Sequence, residues 1–350
     1  MKKSMNAAVL YAPADLRYEQ TEIPEIHGSE VLVNVKVAGV CGSDLGRVMK
    51  TGTYHFPTIP GHEFSGEVVA VGPDVTKVKT GDRVAVSPMH PCLKCEYCEQ
   101  GDYGLCEDYN FLGSRTDGGF AEYVKVPEQN MVILSEGMTF HEGAMIEPAA
   151  VTLHGMKIVG INVGDTVVIL GCGPLGLFAL QFARIMGATT VIAVDISEEK
   201  LELAKSLGAD QVVLASNDTV SNIKRLTDEK GAHVVIETAG VAQTQEQSLR
   251  IARKKGRVLF LGTAHHDVVL PPKSFECIVR NELSLHGSWN SYSAPFPGVE
   301  WNATVDYYKA GLLKMKPMIT HVFNLSEAPT VFKDLINRKY PFTKVLFETN

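Results

Sequence analysis

The chain has 350 residues, room for about two domains at ~100–200 residues each, and its 45% hydrophobic and 21% charged content is that of a globular protein able to bury a core without disulfide staples. A formal net charge of −7, a pI near 5.9 and the absence of any basic run exclude nucleic acid as the expected partner. No stretch reads as a signal peptide or a membrane span. The N-terminal "MKKSMNAAVLYAPADLRYEQ" is only briefly apolar before Pro13, and the longest uncharged apolar run, 167–183, carries three glycines and a proline. The expected location is the cytoplasm.

Residues 5 to about 155 read as β-rich, with Val-rich runs such as "EVLVNVKVAGV", "GEVVAVG", "DRVAV" and "AEYVKVP" divided by Gly, Pro and Asp turn signals. Inside this stretch lies "HPCLKCEYCEQGDYGLCED", a C-x2-C-x2-C-x7-C pattern at Cys92, Cys95, Cys98 and Cys106. A reducing compartment and an odd total of seven cysteines weigh against a disulfide framework. Four thiolates on one loop can close a tetrahedron around Zn²⁺ with no open position, the pattern of a structural site. An iron–sulfur cluster is the alternative, but ferredoxin runs have a shorter final gap and a following proline, whereas Glu107 follows Cys106 here.

From about residue 160 the texture changes. Strand-like runs "TVVILG", "TTVIAVD", "QVVLA", "HVVIETAG" and "RVLFLG" alternate with helical patterns, which predicts a parallel sheet covered on both faces. The clearest helix is "SEEKLELAKSLGAD", with Ser197 placed as its cap, Glu198 and Glu199 in its first turn and Gly208 beyond its last. Gly171, Gly173 and Gly176, with Pro174 and Leu175 among them, form a G-x-G-x-x-G turn between a predicted strand and a predicted helix. In that context the turn is a dinucleotide-binding fingerprint whose helix N-terminus faces a pyrophosphate. Cys172, within the turn, reads as a small buried residue. Asp195 ends the second strand, where a carboxylate can accept from a ribose hydroxyl and repels a 2′-phosphate, favouring NAD over NADP. Lys200 reads as a solvated bystander. The alternation fades after about residue 290 in the aromatic loop "WNSYSAPFPGVEW", which holds Trp289 and Tyr292.

Several stretches, taken together in chain order, resemble the zinc-containing medium-chain dehydrogenases/reductases over essentially the full length. They are "GVCGSD", "PGHEFSGEVVAVG", "GDRVAV", the four-cysteine loop, "DGGFAEY", "IEPAAVTLHG" and the glycine turn. The resemblance implies an α/β protein: a β-rich, partly barrel-like (GroES-like) catalytic domain over 1–155 and 295–350, and a Rossmann doubly wound domain over 156–294. It assigns Cys41, His62, Glu63 and Glu147 to a catalytic zinc, giving two Zn²⁺ per chain with the four-cysteine site. Singly, each of those residues has an ordinary structural reading. Glu147 within E-P-x-x-V-x-x-H is similar to the polyol dehydrogenase branch, and "FLGSRTDGGFAEY", "IETAGVAQT" and "GSWNSYSAPFPGVEW" resemble enzymes of phosphorylated polyols.

The implied activity is oxidation of a secondary alcohol of a polyol or polyol phosphate, with zinc as Lewis acid and hydride passing to NAD. Which of Glu63 and Glu147 ligates directly and which through water stays open. Ser43, two residues after Cys41, is the expected first proton acceptor, with a turn hydroxyl as the alternative. Gly46 departs from relatives that carry a relay histidine there, so the proton is expected to leave through water or the cofactor ribose. A substrate phosphate needs cations, for which Arg47, Lys50 and Arg115 are candidates, each also readable as a solvated charge. Sorbitol-type and threonine-type dehydrogenases are the neighbouring activities, and a nucleotide-sensing or structural binding protein is the alternative from another class. A homodimer or homotetramer is implied by the resemblance.

Overall fold

The computed structural model describes residues 3–264 and 266–349. Two compact units emerge from the chain. The first runs through Glu147 and takes in Tyr292–Lys309 and the segment from Ile319 on; the second holds Pro148–Ser291 and Ala310–Met318. The boundary anticipated near residue 155 falls inside the helix Ile146–Val159. Residues 310–318 group with the second unit because the buried Gln181 side chain makes a reciprocal amide pair with Lys314, donating to its carbonyl at 3.1 Å and accepting from its N–H at 2.7 Å.

In the first unit the strand Glu30–Gly39 is the organising element. It pairs antiparallel with Glu63–Val71, Tyr123–Pro127 and Lys344–Glu348, and is one of the seven strands of a sheet that also holds Arg83–Val86, Met131–Ile133 and Ile319–Asn324. Its sequence "EVLVNVKVAG" keeps valines on both faces because both faces are covered, so the run is nearly continuously buried instead of alternating. Register shifts against Glu63–Val71, between Leu32 and Val33 and between Val35 and Val37, add twist and curl the sheet towards a barrel. Val31, Val33, Phe64, Phe120, Phe332 and Phe347 meet in its core.

The second unit is a six-stranded sheet in which every pairing is parallel. Counting its strands in chain order from Thr166–Leu170, the sheet runs third, second, first, fourth, fifth, sixth. This is the doubly wound order, with its topological switch at the first strand. The architecture is the α/β arrangement anticipated above. Ser197 caps the helix Glu198–Ser206, its hydroxyl accepting from Lys200 N–H, and Gly208 follows at φ +110°. No helix among the described residues is long and apolar enough to cross a membrane.

Candidate active site

The glycine turn shows why each glycine stands where it does. Gly171 has φ +99°, a left-handed backbone that a side chain would strain. A Cβ on Gly176 would lie 1.8 Å from the Gly171 carbonyl oxygen, so only glycine lets the helix Pro174–Ile185 sit this close to its strand. A Cβ on Gly173 would meet no heavy atom within 4 Å: the space above this N-cap is open. Pro174 and Leu175 occupy the first turn, Pro174 giving up an N–H that the helix does not need there. Asp195 is held at its strand end, Oδ2 accepting from Cys172 N–H at 2.7 Å and Oδ1 from Ser197 N–H at 2.9 Å, with lone pairs to spare. Cys172 is buried and its thiol is pushed up to about 12 by that burial, so it stays neutral.

In the first unit, Cys92, Cys95, Cys98 and Cys106 bring their sulfurs within 4.8 Å of one another with no disulfide among them. The loop is shaped for this. Cys92 N–H donates to Cys106 Sγ at 3.2 Å, Cys95 is the N-cap of the short helix Glu96–Gln100, and Gly101 ends that helix at φ +84°. Backbone N–H groups of Glu107 and Cys98 pull the Cys95 thiol down to about 6, while burial pushes Cys98 up to about 12. Four converging soft ligands and no open position fit a zinc that holds the loop.

A second cluster gathers residues from distant parts of the chain. Cys41 follows the strand Glu30–Gly39 and is the N-cap of the helix Gly42–Gly46; His62 and Glu63 open the strand Glu63–Val71. Ligand atoms of Cys41, His62 and Glu63 lie within 4.8 Å of one another. Glu147, buried in the first turn of Ile146–Val159, stands outside that trio but feels its charge. Burial raises the Glu147 carboxyl to about 8, a shift that His62 opposes and Cys41 and Asp44 reinforce. One thiolate, one imidazole and carboxylates fit a zinc that keeps a position for substrate.

Two neighbours of this cluster were not anticipated. Asp44 is fully buried; its Oδ2 accepts from Cys41 N–H at 3.0 Å, and its Oδ1 approaches His62 Nδ1 to 3.2 Å without hydrogen-bond alignment. An Asp so placed fixes the ring and leaves its other nitrogen for a metal. Burial lowers the His62 pKa, but Asp44 and Cys41 outweigh it and carry it well above the ordinary value. Burial raises the Cys41 thiol, yet His62 brings it down to about 6. Lys344, also buried, donates from Nζ to Val40 O at 3.2 Å and forms an ion pair with Glu63. The spacing Cys41-x-x-Asp44, a capping pattern, could have flagged Asp44. For Lys344 no local sequence pattern gives a hint; in the structure it packs so close that a Cβ on Gly39 would lie 2.7 Å from Glu63 Oε2 and 2.9 Å from Lys344 Cε.

Ser43 and Arg47 lie on the same turn as Cys41: the exposed Ser43 Oγ accepts from Arg47 NH1 at 3.0 Å, and Arg47 is 4.0 Å from Asp44. Gly46 leaves open space where a side chain would project. Lys50 is exposed. Arg115 stands between Tyr54 and Tyr109, its Cζ 4.3 and 4.5 Å from the two ring centroids. Tyr292 is buried against Trp301 and Phe296, each at 6.0 Å between centroids, and burial, aided by the Glu147 charge, drives its hydroxyl well above the ordinary pKa. Trp289 is 54% exposed.

Comparison with known proteins gives this arrangement its family. Residues 27–136 match the alcohol dehydrogenase GroES-like domain, and residues 174–303 match the zinc-binding dehydrogenase family. The chain is 39% identical to galactitol 1-phosphate 5-dehydrogenase of Escherichia coli strain K12 over 93% of its own length and 95% of that protein's. It is 32% identical to sorbitol dehydrogenase of Bacillus subtilis strain 168, over 99% and 98% of the two lengths. The crystal structure of galactitol-1-phosphate dehydrogenase from Escherichia coli superposes with a TM-score of 0.94 at 39% identity, covering 99% of this chain and 100% of that one. With both domains matched and such relatives spanning nearly its full length, the chain belongs to the zinc-binding alcohol dehydrogenases and is an oxidoreductase.

Proposed function

We propose that the protein oxidises a secondary hydroxyl of a phosphorylated polyol with NAD, with galactitol 1-phosphate, giving tagatose 6-phosphate, as leading substrate. The observation that carries the chemistry is the convergence of Cys41, His62 and Glu63 ligand atoms within 4.8 Å, with Glu147 buried beside them. The substrate rests on the likeness to galactitol 1-phosphate 5-dehydrogenase. These residues would hold a zinc that would supply Lewis acidity to the hydroxyl being oxidised.

The residues around the cluster have separate tasks. Asp44 fixes the His62 ring, and Lys344 holds one oxygen of Glu63. Ser43 Oγ, with one lone pair taken by Arg47, keeps a second for the proton of the substrate hydroxyl and its own O–H to pass a proton outward. Because Ser43 is exposed and Gly46 offers no side chain, that proton leaves to water. On the second unit, the open face at Gly173 and the N-terminus of Pro174–Ile185 receive a pyrophosphate, and Asp195 takes a ribose hydroxyl and disfavours NADP.

Four free thiols in one loop fit a cytoplasmic setting. Assembly as a homodimer or homotetramer is supported by exposed apolar residues Phe275, Val279 and Leu285 and is read by light scattering.

The test is NADH formation by zinc-loaded protein offered galactitol 1-phosphate, galactitol, sorbitol, xylitol and threonine at matched concentrations, with zinc measured alongside. The expected result is a preference for the phosphate ester and about two zinc ions per chain, one for each cluster. Preference for sorbitol would move the protein to the sorbitol-type reading that the Bacillus relative favours. One zinc and no turnover would remove the catalytic assignment.

A further inference from the structure

We infer that Arg115 is the phosphate-binding residue of the substrate site, receiving the phosphate monoester of a polyol on a guanidinium clamped between Tyr54 and Tyr109. This rests on the polyol dehydrogenase reading above and selects one residue among three cations that the sequence left equivalent.

The three cations differ in what already occupies them. Arg47 donates to Ser43 Oγ at 3.0 Å and lies 4.0 Å from the Asp44 carboxylate, so its charge is answered within the metal cluster's own surroundings. Lys50 is an exposed point charge with no forked geometry. Arg115 has rings on two sides, at 4.3 and 4.5 Å, and no carboxylate or other acceptor takes a hydrogen bond from its guanidinium among the described residues. Its Nε–H is buried without a partner. A permanently charged group half removed from water and unpaired is costly, and the faces of two tyrosines offset that cost only in part. The rings also lock the plane of the fork. What remains is a rigid set of planar donors facing no anion of the protein, the arrangement that suits bidentate grip of a phosphate.

Its position suits a substrate whose phosphate is several carbons from the reacting hydroxyl. A run of ring contacts leads from Arg115 to the metal ligands: Tyr109 packs edge-on against Phe111 with centroids 6.4 Å apart, and Phe111 packs on His62 at 5.7 Å. Arg115 and His62 are thus linked through two packed rings, Tyr109 and Phe111. Arg47 sits on the turn that Cys41 itself opens, 4.0 Å from the Asp44 carboxylate that stands beside His62.

The experiment compares kcat/KM for galactitol 1-phosphate and for galactitol on the zinc-loaded full chain, in wild type, Arg115→Met, Arg115→Lys and Arg47→Met. The ratio of the two values cancels differences in the amount of folded enzyme. Arg115→Met is expected to reduce the preference for the ester about 10- to 100-fold, chiefly through KM, and Arg115→Lys to restore only part of it, because charge returns without fork or stack. Arg47→Met is expected to lower both values while leaving their ratio. A ratio unchanged in Arg115→Met, or a wild type that treats both substrates alike, overturns the inference while the polyol reading stands. Failure of wild type to oxidise either compound overturns that reading as well.

Discussion

In the proposed site Glu63 is asked to do two things at once, because Lys344 already pairs with it. A carboxylate buried to this degree needs a cation, and before any metal arrives the only one in contact with it among the described residues is the ammonium of Lys344, itself buried and tied to the Val40 carbonyl. Breaking a buried pair from one side leaves an uncompensated charge, so Lys344→Met should cost the metal-free protein roughly 3–5 kcal/mol of stability. It should also free the second oxygen of Glu63 for zinc. Thermal unfolding with and without added zinc checks both: the variant should melt lower when metal-free and gain more from zinc than wild type does. Equal gains would mean that Lys344 does not restrain Glu63. None of this was legible in the sequence, because Lys344 and Glu63 are 281 residues apart and no local pattern pairs them. Asp44 was closer to view, three residues from Cys41 in a capping position, yet its contact with His62 depends on how two strands bring separate loops together.

At the scale of elements, the strand, turn and helix around Gly171 were readable because local periodicity, turn chemistry and sheet topology all agree there. Two of the glycines separate fold from function. A methyl on Gly176 would drive into the Gly171 carbonyl, so Gly176→Ala should shift the helix Pro174–Ile185 and cost roughly 1–3 kcal/mol. A methyl on Gly173 meets nothing, and its φ of −73° suits alanine, so Gly173→Ala should leave unfolding nearly unchanged and weaken NADH binding. Denaturant melts paired with NADH fluorescence titrations distinguish the two; comparable stability losses would show that the space above Gly173 serves the fold. The convergence of the four-cysteine loop was legible for a related reason: its cysteines lie within fifteen residues, so spacing alone brings them together.

At the scale of the whole chain, Cys41, His62 and Glu63 lie wholly in the first unit and the glycine turn wholly in the second. The change from β-rich to alternating texture announced two architectures. It did not announce that residues 310–318 join the second unit, since that depends on Gln181 finding both backbone groups of Lys314 from 133 residues away.

The strand that supplies Lys344 pairs with Glu30–Gly39, and Lys344 itself lies 281 residues from Glu63. On the ribosome the two sheets therefore mature on different clocks. The six strands of the parallel sheet all lie within residues 166–287, whereas the first sheet needs Lys344–Glu348 to cover one side of Glu30–Gly39. Cys41, His62 and Glu63 all precede the parallel sheet in the sequence, yet Glu63 acquires its Lys344 counter-charge only after the strands of that sheet have been made. Until then Lys344 cannot compete with zinc for the Glu63 carboxylate.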